Sequence, residues 1–276
     1  MKHIIVPTDF SDNALKAAKF ALSLAKDLEA QFSLVHAYQC FRSGFQSDRS
    51  NLEDEVRAKE EAEREMDIFI QKLQQNGYKV PVKSECIEGT LLALINQIKN
   101  DTANTVIVMG TTGATGIKYH LIGSNTLFIA KKTSLPLLTV PMGIENCEIK
   151  KVAVFTDYKE EDKKNLSNLR SFFGNSKVSY RLFHIHEKKE SPLPADYEKL
   201  EKWAEELKII CGIGDLSYEL VVGIENATLV NEIAKREDID LLTLTMVGQN
   251  FWDRLFEKSL SKAIILQGTT PVFIQH

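Results

Sequence analysis

The chain lacks the features that would assign it to a specialised class of protein. It has only four cysteines in 276 residues, with no C-x-x-C pair and no metal-ligand spacing. Cysteines scattered in this way are expected to be reduced thiols, which favours the cytoplasm over an oxidising compartment. No apolar run approaches the roughly 20 residues of a transmembrane helix, and the short run Ile4–Val6, broken by Pro7, is unlike a signal peptide. We therefore expect a cytoplasmic protein that has no membrane partner.

An excess of positive charge is also absent. The chain has 34 Lys and Arg residues against 38 Asp and Glu residues, a formal net charge of −4. Such a balance excludes the basic footprint that binds nucleic acid or an acidic membrane surface. The 43% apolar and 26% charged residues are typical of a globular protein, and the length is sufficient for two domains.

The sequence repeats itself. Residues 2–10 (Lys-His-Ile-Ile-Val-Pro-Thr-Asp-Phe) recur as residues 150–158 (Lys-Lys-Val-Ala-Val-Phe-Thr-Asp-Tyr), and Phe32–His36 recurs as Tyr180–His184. These matching segments are 148 residues apart, whereas the matching segments later in the two copies are 135 residues apart. The second copy is therefore 13 residues shorter in the connection after its second strand. A repeat of this length predicts two whole domains. Their expected bounds are residues 1–142 and 147–276.

Each copy alternates short apolar runs with amphipathic stretches. Helical periodicity from Ala14 to Ala25 follows Ser11 or Asp12, either of which is a suitable N-cap. The alternation predicts an α/β fold with two tandem doubly wound domains, each a five-stranded parallel sheet with helices on both faces. Ligands then bind at the carboxyl ends of the strands, where Asp9 and Gly110 lie. In the first copy the expected strands are Ile4–Val6, Gln31–Tyr38, Val80–Ile87, Thr105–Met109 and Pro136–Val140.

The most specific motif follows the fourth of these strands. It reads Gly110-x2-Gly113-x9-Gly123-Ser124, with Asn125 next. Glycines let the backbone approach a ligand without a Cβ in the way, and the free amides at a helix start bind anions. The spacing is neither that of the P-loop nor that of the dinucleotide-binding fingerprint. It predicts a site in which main-chain N–H groups hold a phosphate chain.

Together these residues resemble the universal stress protein (UspA-like) family, in the tandem form where two domains share one polypeptide. The resemblance rests on Ile5–Ser11, Leu34–His36 and Met109–Ser124, and the glycine motif is that of the family's ATP-binding branch. It implies a Rossmann-like fold related to the adenine nucleotide alpha hydrolases. It also implies a site for ATP, ADP or AMP with Mg²⁺, and a regulatory role in stress responses.

The resemblance implies a role for each residue of this site. Asp9 would bond the ribose hydroxyls or lie near the Mg²⁺ of the nucleotide, and the backbone of Ala37 would meet the adenine edge. The other implied contacts are Pro7 and Thr8 beside adenine, Met109 near the sugar and base, Gly110, Gly113 and Gly123 at the phosphates, and Ser124 and Asn125 as donors to the phosphates. Contacts of Lys118 and His120 with a phosphate stay open. No catalytic residue and no metal site built from protein groups alone is expected.

The second copy departs from the glycine motif. At the offset of 135, Gly110 becomes Thr245 and Gly123 becomes Lys258. Side chains therefore stand where the backbone would have to approach the phosphates closely. We expect no triphosphate to bind to this copy, although Asp157 is retained.

More than one class of function is open. The first is a nucleotide-binding regulatory module, and the alternatives are a slow ATPase, an enzyme that phosphorylates itself at Ser124, and a stress protein that binds a partner without nucleotide. Phosphoryl transfer needs metal ligands, cations and a positioned nucleophile. The segment 110–126 has no carboxylate, so the enzyme alternative is weaker.

Both copies end in an apolar run of the kind found in edge strands, Pro136–Val140 and Pro271–Gln275. Exposed edges of this kind favour pairing. In the family such strands join two domains, so the resemblance implies an intramolecular pseudo-dimer here. A homodimer and an unknown protein partner also stay open.

Overall fold

Ten short strands from both ends of the chain join in one sheet. The computed structural model describes residues 1–40, 44, 47–75, 81–98, 104–111, 124–144, 147–174, 178–187, 191–245 and 269–275. The strands are β1 (His3–Pro7), β2 (Gln31–Tyr38), β3 (Val82–Glu88), β4 (Thr105–Gly110), β5 (Leu137–Val140), β6 (Lys151–Phe155), β7 (Ser179–His186), β8 (Leu216–Val222), β9 (Leu241–Thr245) and β10 (Val272–Gln275). The helices are α1 (Asp12–Asp27), α2 (Asp48–Gln74), α3 (Leu91–Ile98), α4 (Ser124–Lys132), α5 (Glu160–Phe173), α6 (Pro194–Cys211) and α7 (Ala227–Arg236).

The strand order is β3-β2-β1-β4-β5-β10-β9-β6-β7-β8. We call the part with β1–β5 the N-terminal half and the part with β6–β10 the C-terminal half. Within each half every neighbouring pair is parallel, whereas β5 and β10 are antiparallel, with Leu138 opposite Phe273. The predicted α/β fold with parallel five-stranded sheets is therefore confirmed.

Alternate residues of the strands face two buried layers, as the period of two in an extended chain requires. Ile4 and Val6 pack in the layer that contains α1, α2, α5 and α6, while Ile5 packs in the layer that contains α3, α4 and α7. Because both faces of the sheet are covered, its central strands are apolar throughout. None of the described helices is long and apolar enough to cross a bilayer.

The shorter second copy owes most of its missing length to one helix. Helix α2 has 27 residues and its counterpart α6 has 18, a difference of nine. Predicted bounds of other elements are shifted by one or two residues. Strand β4 continues to Gly110, and β5 begins at Leu137 after Pro136, which cannot donate a backbone hydrogen bond. Val80, the predicted start of the third strand, lies outside the described residues.

The antiparallel junction between β5 and β10 has a geometric result. Each strand of the N-terminal half runs in the direction of β5, and each strand of the C-terminal half runs in the direction of β10. The carboxyl ends of the two sets of strands therefore lie at opposite edges of the sheet.

Candidate functional site

The strand order reverses between β1 and β4, which are parallel neighbours in the N-terminal half. After β1 the chain moves outward through β2 and β3, and it then returns to the other side of β1 to form β4. Ligands of doubly wound sheets bind at such a switch point, outside the carboxyl ends of the strands. The residues at these ends are Pro7, Thr8 and Asp9 after β1, and Met109 and Gly110 in β4. These five sequence-predicted residues thus lie at the ends of two neighbouring strands.

A tight turn follows β1. Phe10 has a φ of 63°, a left-handed conformation that is uncommon for a bulky residue. Its N–H donates to Thr8 Oγ1 over 2.9 Å, and His36 Nδ1 donates to the carbonyl oxygen of Thr8 over 2.8 Å. The rings of Phe10 and His36 lie 4.3 Å apart, centroid to centroid. These contacts hold the turn while Thr8 is buried and Asp9 is exposed.

The Asp9 carboxylate is linked to the start of α1. Its Oδ1 accepts hydrogen bonds from Ser11 Oγ at 2.6 Å and from the Ser11 N–H at 3.2 Å. Ser11 Oγ in turn accepts from the Ala14 N–H at 3.2 Å, so Ser11 is the N-cap of the helix, one of the two predicted alternatives. One side chain therefore caps α1 and orients the carboxylate.

The end of β4 is in contact with two helices. A Cβ built on Gly110 would lie 2.3 Å from Asn13 Nδ2 and 2.7 Å from Asn13 Cγ, so the amide of Asn13 occupies the space of a side chain. Thr126, in the first turn of α4, donates from Oγ1 to the carbonyl oxygen of Gly110 over 2.9 Å. Asn13 and Thr126 were not among the predicted site residues. Their signal in the sequence is a polar residue on an otherwise apolar helix face.

The other predicted residues occupy different positions around this edge. Met109 is only 7% exposed and packs with Ile5 in the apolar layer of α3 and α4, whereas Ala37 of β2 is half-buried. Helix α4 is described from Ser124 to Lys132, and Asn125 is exposed. The first backbone N–H groups of a helix have no partner within it and can bind an anion. Gly113, Gly123, Lys118 and His120 lie outside the described residues.

The C-terminal half has the same turn after β6. Tyr158 has a φ of 62° and donates from N–H to Thr156 Oγ1 over 2.9 Å, and His184 Nδ1 donates to the Thr156 carbonyl oxygen over 2.8 Å. The rings of Tyr158 and His184 are 4.5 Å apart. Burial, with smaller effects of Asp196 and Asp157, raises the pKa of Tyr158 to about 12, so this ring stays uncharged at neutral pH.

The surroundings of this second turn differ from those of the first. Asp157 Oδ2 accepts from Lys159 Nζ at 3.2 Å, where the N-terminal half has Ser11. Thr245 occupies the position of Gly110, and its Oγ1 accepts from Asn165 Nδ2 at 3.0 Å. Lys258, the counterpart of Gly123, lies outside the described residues. The C-terminal half therefore has a lysine and a threonine side chain where the N-terminal half has a serine and a glycine.

This fold, with its reversal of strand order between β1 and β4, is that of the doubly wound class of α/β proteins. The model of the universal stress protein family matches residues 1–141, and the chain belongs to this family.

Curated relatives align with half of the chain. The universal stress protein MJ0531 of Methanocaldococcus jannaschii is 31% identical over 141 residues, which is 50% of this chain and 81% of the relative. The universal stress protein MJ0577 of the same organism is 30% identical over 159 residues, covering 50% of this chain and 94% of the relative. These alignments support the family assignment for half of the chain.

A solved structure resembles the whole chain. The crystal structure of a universal stress protein from Archaeoglobus fulgidus DSM 4304 covers 99% of this chain and 97% of its own, with a TM-score of 0.69 and 16% sequence identity. At this identity the likeness is one of fold.

Proposed function

We propose that the N-terminal half is the adenine-nucleotide-binding domain of a regulatory stress protein, and that ATP, ADP or AMP binds at the carboxyl ends of β1 and β4. The observation that carries the proposal is that Asp9 follows β1 while Gly110, the first glycine of the motif, ends the neighbouring strand β4 and is bonded to Thr126 of α4. A carboxylate pairs with ribose hydroxyls or with a nucleotide-bound Mg²⁺, and a helix start pairs with phosphate. Nucleotide occupancy would then alter the affinity for a protein partner.

We further propose that the C-terminal half, residues 147–276, is a second domain of the same family that does not bind a triphosphate. The shared turn geometry at Phe10 and Tyr158 supports a common origin of the two halves. The ammonium of Lys159, which lies beside Asp157 where the N-terminal half has the hydroxyl of Ser11, supports the loss of the nucleotide site. In this arrangement β5 and β10 join the two domains as an intramolecular pseudo-dimer.

The described part of the site favours binding over turnover. Phosphoryl transfer requires cations and a positioned nucleophile, but the groups at the strand ends are a carboxylate, hydroxyls and helix amides. Such groups stabilise the bound nucleotide and offer little that is specific to a transition state. We infer that any hydrolysis is slow compared with nucleotide binding and release.

Calorimetric titration of the full chain with ATP and Mg²⁺ tests the proposal. We expect one site per chain, an affinity at least tenfold lower for Asp9→Ala, and unchanged affinity for Asp157→Ala, which is the matched control at the equivalent turn. Two sites per chain, or equal effects of the two substitutions, would contradict the assignment to the N-terminal half. Absence of binding to the unaltered chain would reject nucleotide recognition and favour the function in which a protein partner binds alone.

A further inference from the structure

The contact between Asn13 and Gly110 is unusually close and deeply buried. Asn13 is 3% exposed, and three of its side-chain atoms lie within 3.1 Å of the point where a Cβ of residue 110 would be. A carbon placed less than 3.0 Å from another side chain must displace it. Asn13 belongs to α1, and its buried side chain lies against Gly110 at the end of β4, so it has little room to move. Any side chain at position 110 is therefore incompatible with the present position of Asn13.

The C-terminal half solves the same packing problem differently. Its strand-end residue is Thr245, and the asparagine that contacts it is Asn165. At the offset of 148, Asn165 corresponds to Ala17, one helical turn after Asn13. Where the strand end has a side chain, the asparagine thus lies one turn further from the helix start. The two halves therefore differ both in the residue at the strand end and in the helix position of the asparagine that contacts it.

A second contact fixes the same residue from the other side of the sheet. Thr126 Oγ1 donates to the carbonyl oxygen of Gly110, and Thr126 is 4% exposed. Helices α1 and α4 lie in different layers. Gly110 therefore contacts α1 on one face of the sheet and α4 on the other. These two contacts fix the position of the end of β4 relative to Asp9.

We propose that Asn13 is a positioning residue of the nucleotide site, and that position 110 is a glycine in order to accommodate Asn13 and not in order to admit a phosphate. This inference rests on the proposed function for its effect on nucleotide affinity. Its packing component is independent of that function. Asn13 acts by holding the end of β4, from which the glycine motif continues, and it need not touch the nucleotide.

A double-mutant cycle with Asn13→Ala and Gly110→Ala in the full chain tests this inference. Truncation of Asn13 to alanine removes the three atoms that the new Cβ would meet. We expect Gly110→Ala alone to lower the melting temperature by about 3–10 °C and the ATP affinity roughly tenfold or more. In the Asn13→Ala background the same substitution should cause little further loss of either quantity. Gly143→Ala is the matched control, because no atom lies within 4 Å of its added Cβ.

The alternative role of Gly110 gives a different result. If the missing side chain served a phosphate, Gly110→Ala would lower the ATP affinity by the same factor in both backgrounds, and the proposal would be wrong. Equal losses of melting temperature in both backgrounds would also overturn it. If the unaltered chain bound no ATP, both the proposed function and the predicted effect of Asn13 on ATP affinity would be wrong. The melting temperatures would then still decide whether Asn13 requires a glycine.

Discussion

At the scale of single residues, two equivalent carboxylates have acquired different neighbours. Asp9 is hydrogen-bonded to the hydroxyl of Ser11, and Asp157 is paired with the ammonium of Lys159. A hydroxyl orients a carboxylate without neutralising it, whereas an ammonium competes with any cation or donor that a ligand would bring. The side chain two residues after each carboxylate therefore differs in charge, although the backbone turns are alike.

The acidity of one cysteine yields a prediction at this scale. Burial, with the nearby carboxylates of Glu63 and Asp67, raises the pKa of Cys86 to about 11. Since the thiolate is the reactive form, the rate of alkylation of Cys86 by iodoacetamide should rise about tenfold per pH unit from pH 8 to 10. Peptide mass spectrometry after timed alkylation measures this rate.

A matched variant tests the cause of this shift. The double substitution Glu63→Gln and Asp67→Asn removes two negative charges that disfavour the thiolate, so it should lower the pKa and increase the rate at pH 8. Burial remains, and the pKa should therefore stay above that of an exposed cysteine. A rate that levels off below pH 9 in the unaltered chain would contradict the raised pKa.

At the scale of elements, the helices that follow β1 and β6 are capped by different groups. Helix α1 has a side-chain cap from Ser11, while the N-cap residue of α5, Lys159, makes no side-chain cap bond. In α5 the carboxylate of Asp162 serves instead, because its Oδ2 accepts from the Lys159 N–H and from the Thr156 hydroxyl. The two halves thus fasten similar helices with different groups.

Removal of the first cap should be measurable. We expect Ser11→Ala to lower the free energy of unfolding by about 1 kcal/mol, since an orphan helix N–H loses its acceptor. Lys159→Ala should cost less, because an exposed ion pair contributes little. Urea denaturation of the full chain, followed by circular dichroism, measures both. Equal losses in the two variants would show that the Ser11 cap contributes nothing beyond its surface contacts.

The hydrogen bond between α4 and β4 leads to another prediction. Thr126→Val keeps the shape of the side chain but leaves the Gly110 carbonyl oxygen without this donor, which should cost about 1–3 kcal/mol of stability. We expect a weaker affinity for ATP as well, because α4 would lose its anchor. Asn125→Ala is the comparison: this exposed residue should leave stability unchanged and lower only the ATP affinity. Unchanged urea midpoints for Thr126→Val would contradict an anchoring role.

The sequence predicts the elements well and the contacts between them poorly. The Ser11 cap and the strands β1 and β2 follow from local patterns, because capping and periodicity depend on nearby residues. The contact of Asn13 with Gly110 joins residues far apart in the chain, and no local pattern indicates it. The glycine motif predicts phosphate contacts at Gly110, Gly113 and Gly123, and all three contacts stay predictions.

At the scale of the whole molecule, a four-residue strand carries the junction between the halves. Ile107 donates to the Pro136 carbonyl and Thr111 to the Val140 carbonyl, so residues 136 and 140 direct their backbone groups towards β4. Because directions alternate along a strand, the backbone of Thr139 points towards β10. The Thr139 hydroxyl also donates to the Val272 carbonyl oxygen at 3.4 Å.

A proline at this position should open the junction. Thr139→Pro removes a backbone donor between β5 and β10, and we expect the radius of gyration from small-angle scattering to increase as the halves separate. Thr139→Ala is the matched control, since it removes only the hydroxyl contact and should leave the scattering unchanged. A folded Thr139→Pro variant with the scattering of the unaltered chain would show that other contacts hold the halves together. Circular dichroism establishes whether each variant is folded.

The antiparallel pairing of β5 and β10 also determines where ligands of the two halves could bind relative to each other. A ligand bound at the carboxyl end of β1 and a ligand bound at the carboxyl end of β6 would lie on opposite sides of the molecule. The length of the strands would separate them. A strand of five residues spans roughly 17 Å, so the two ligands would not overlap. A ligand at one of these strand ends would therefore leave the other strand end accessible.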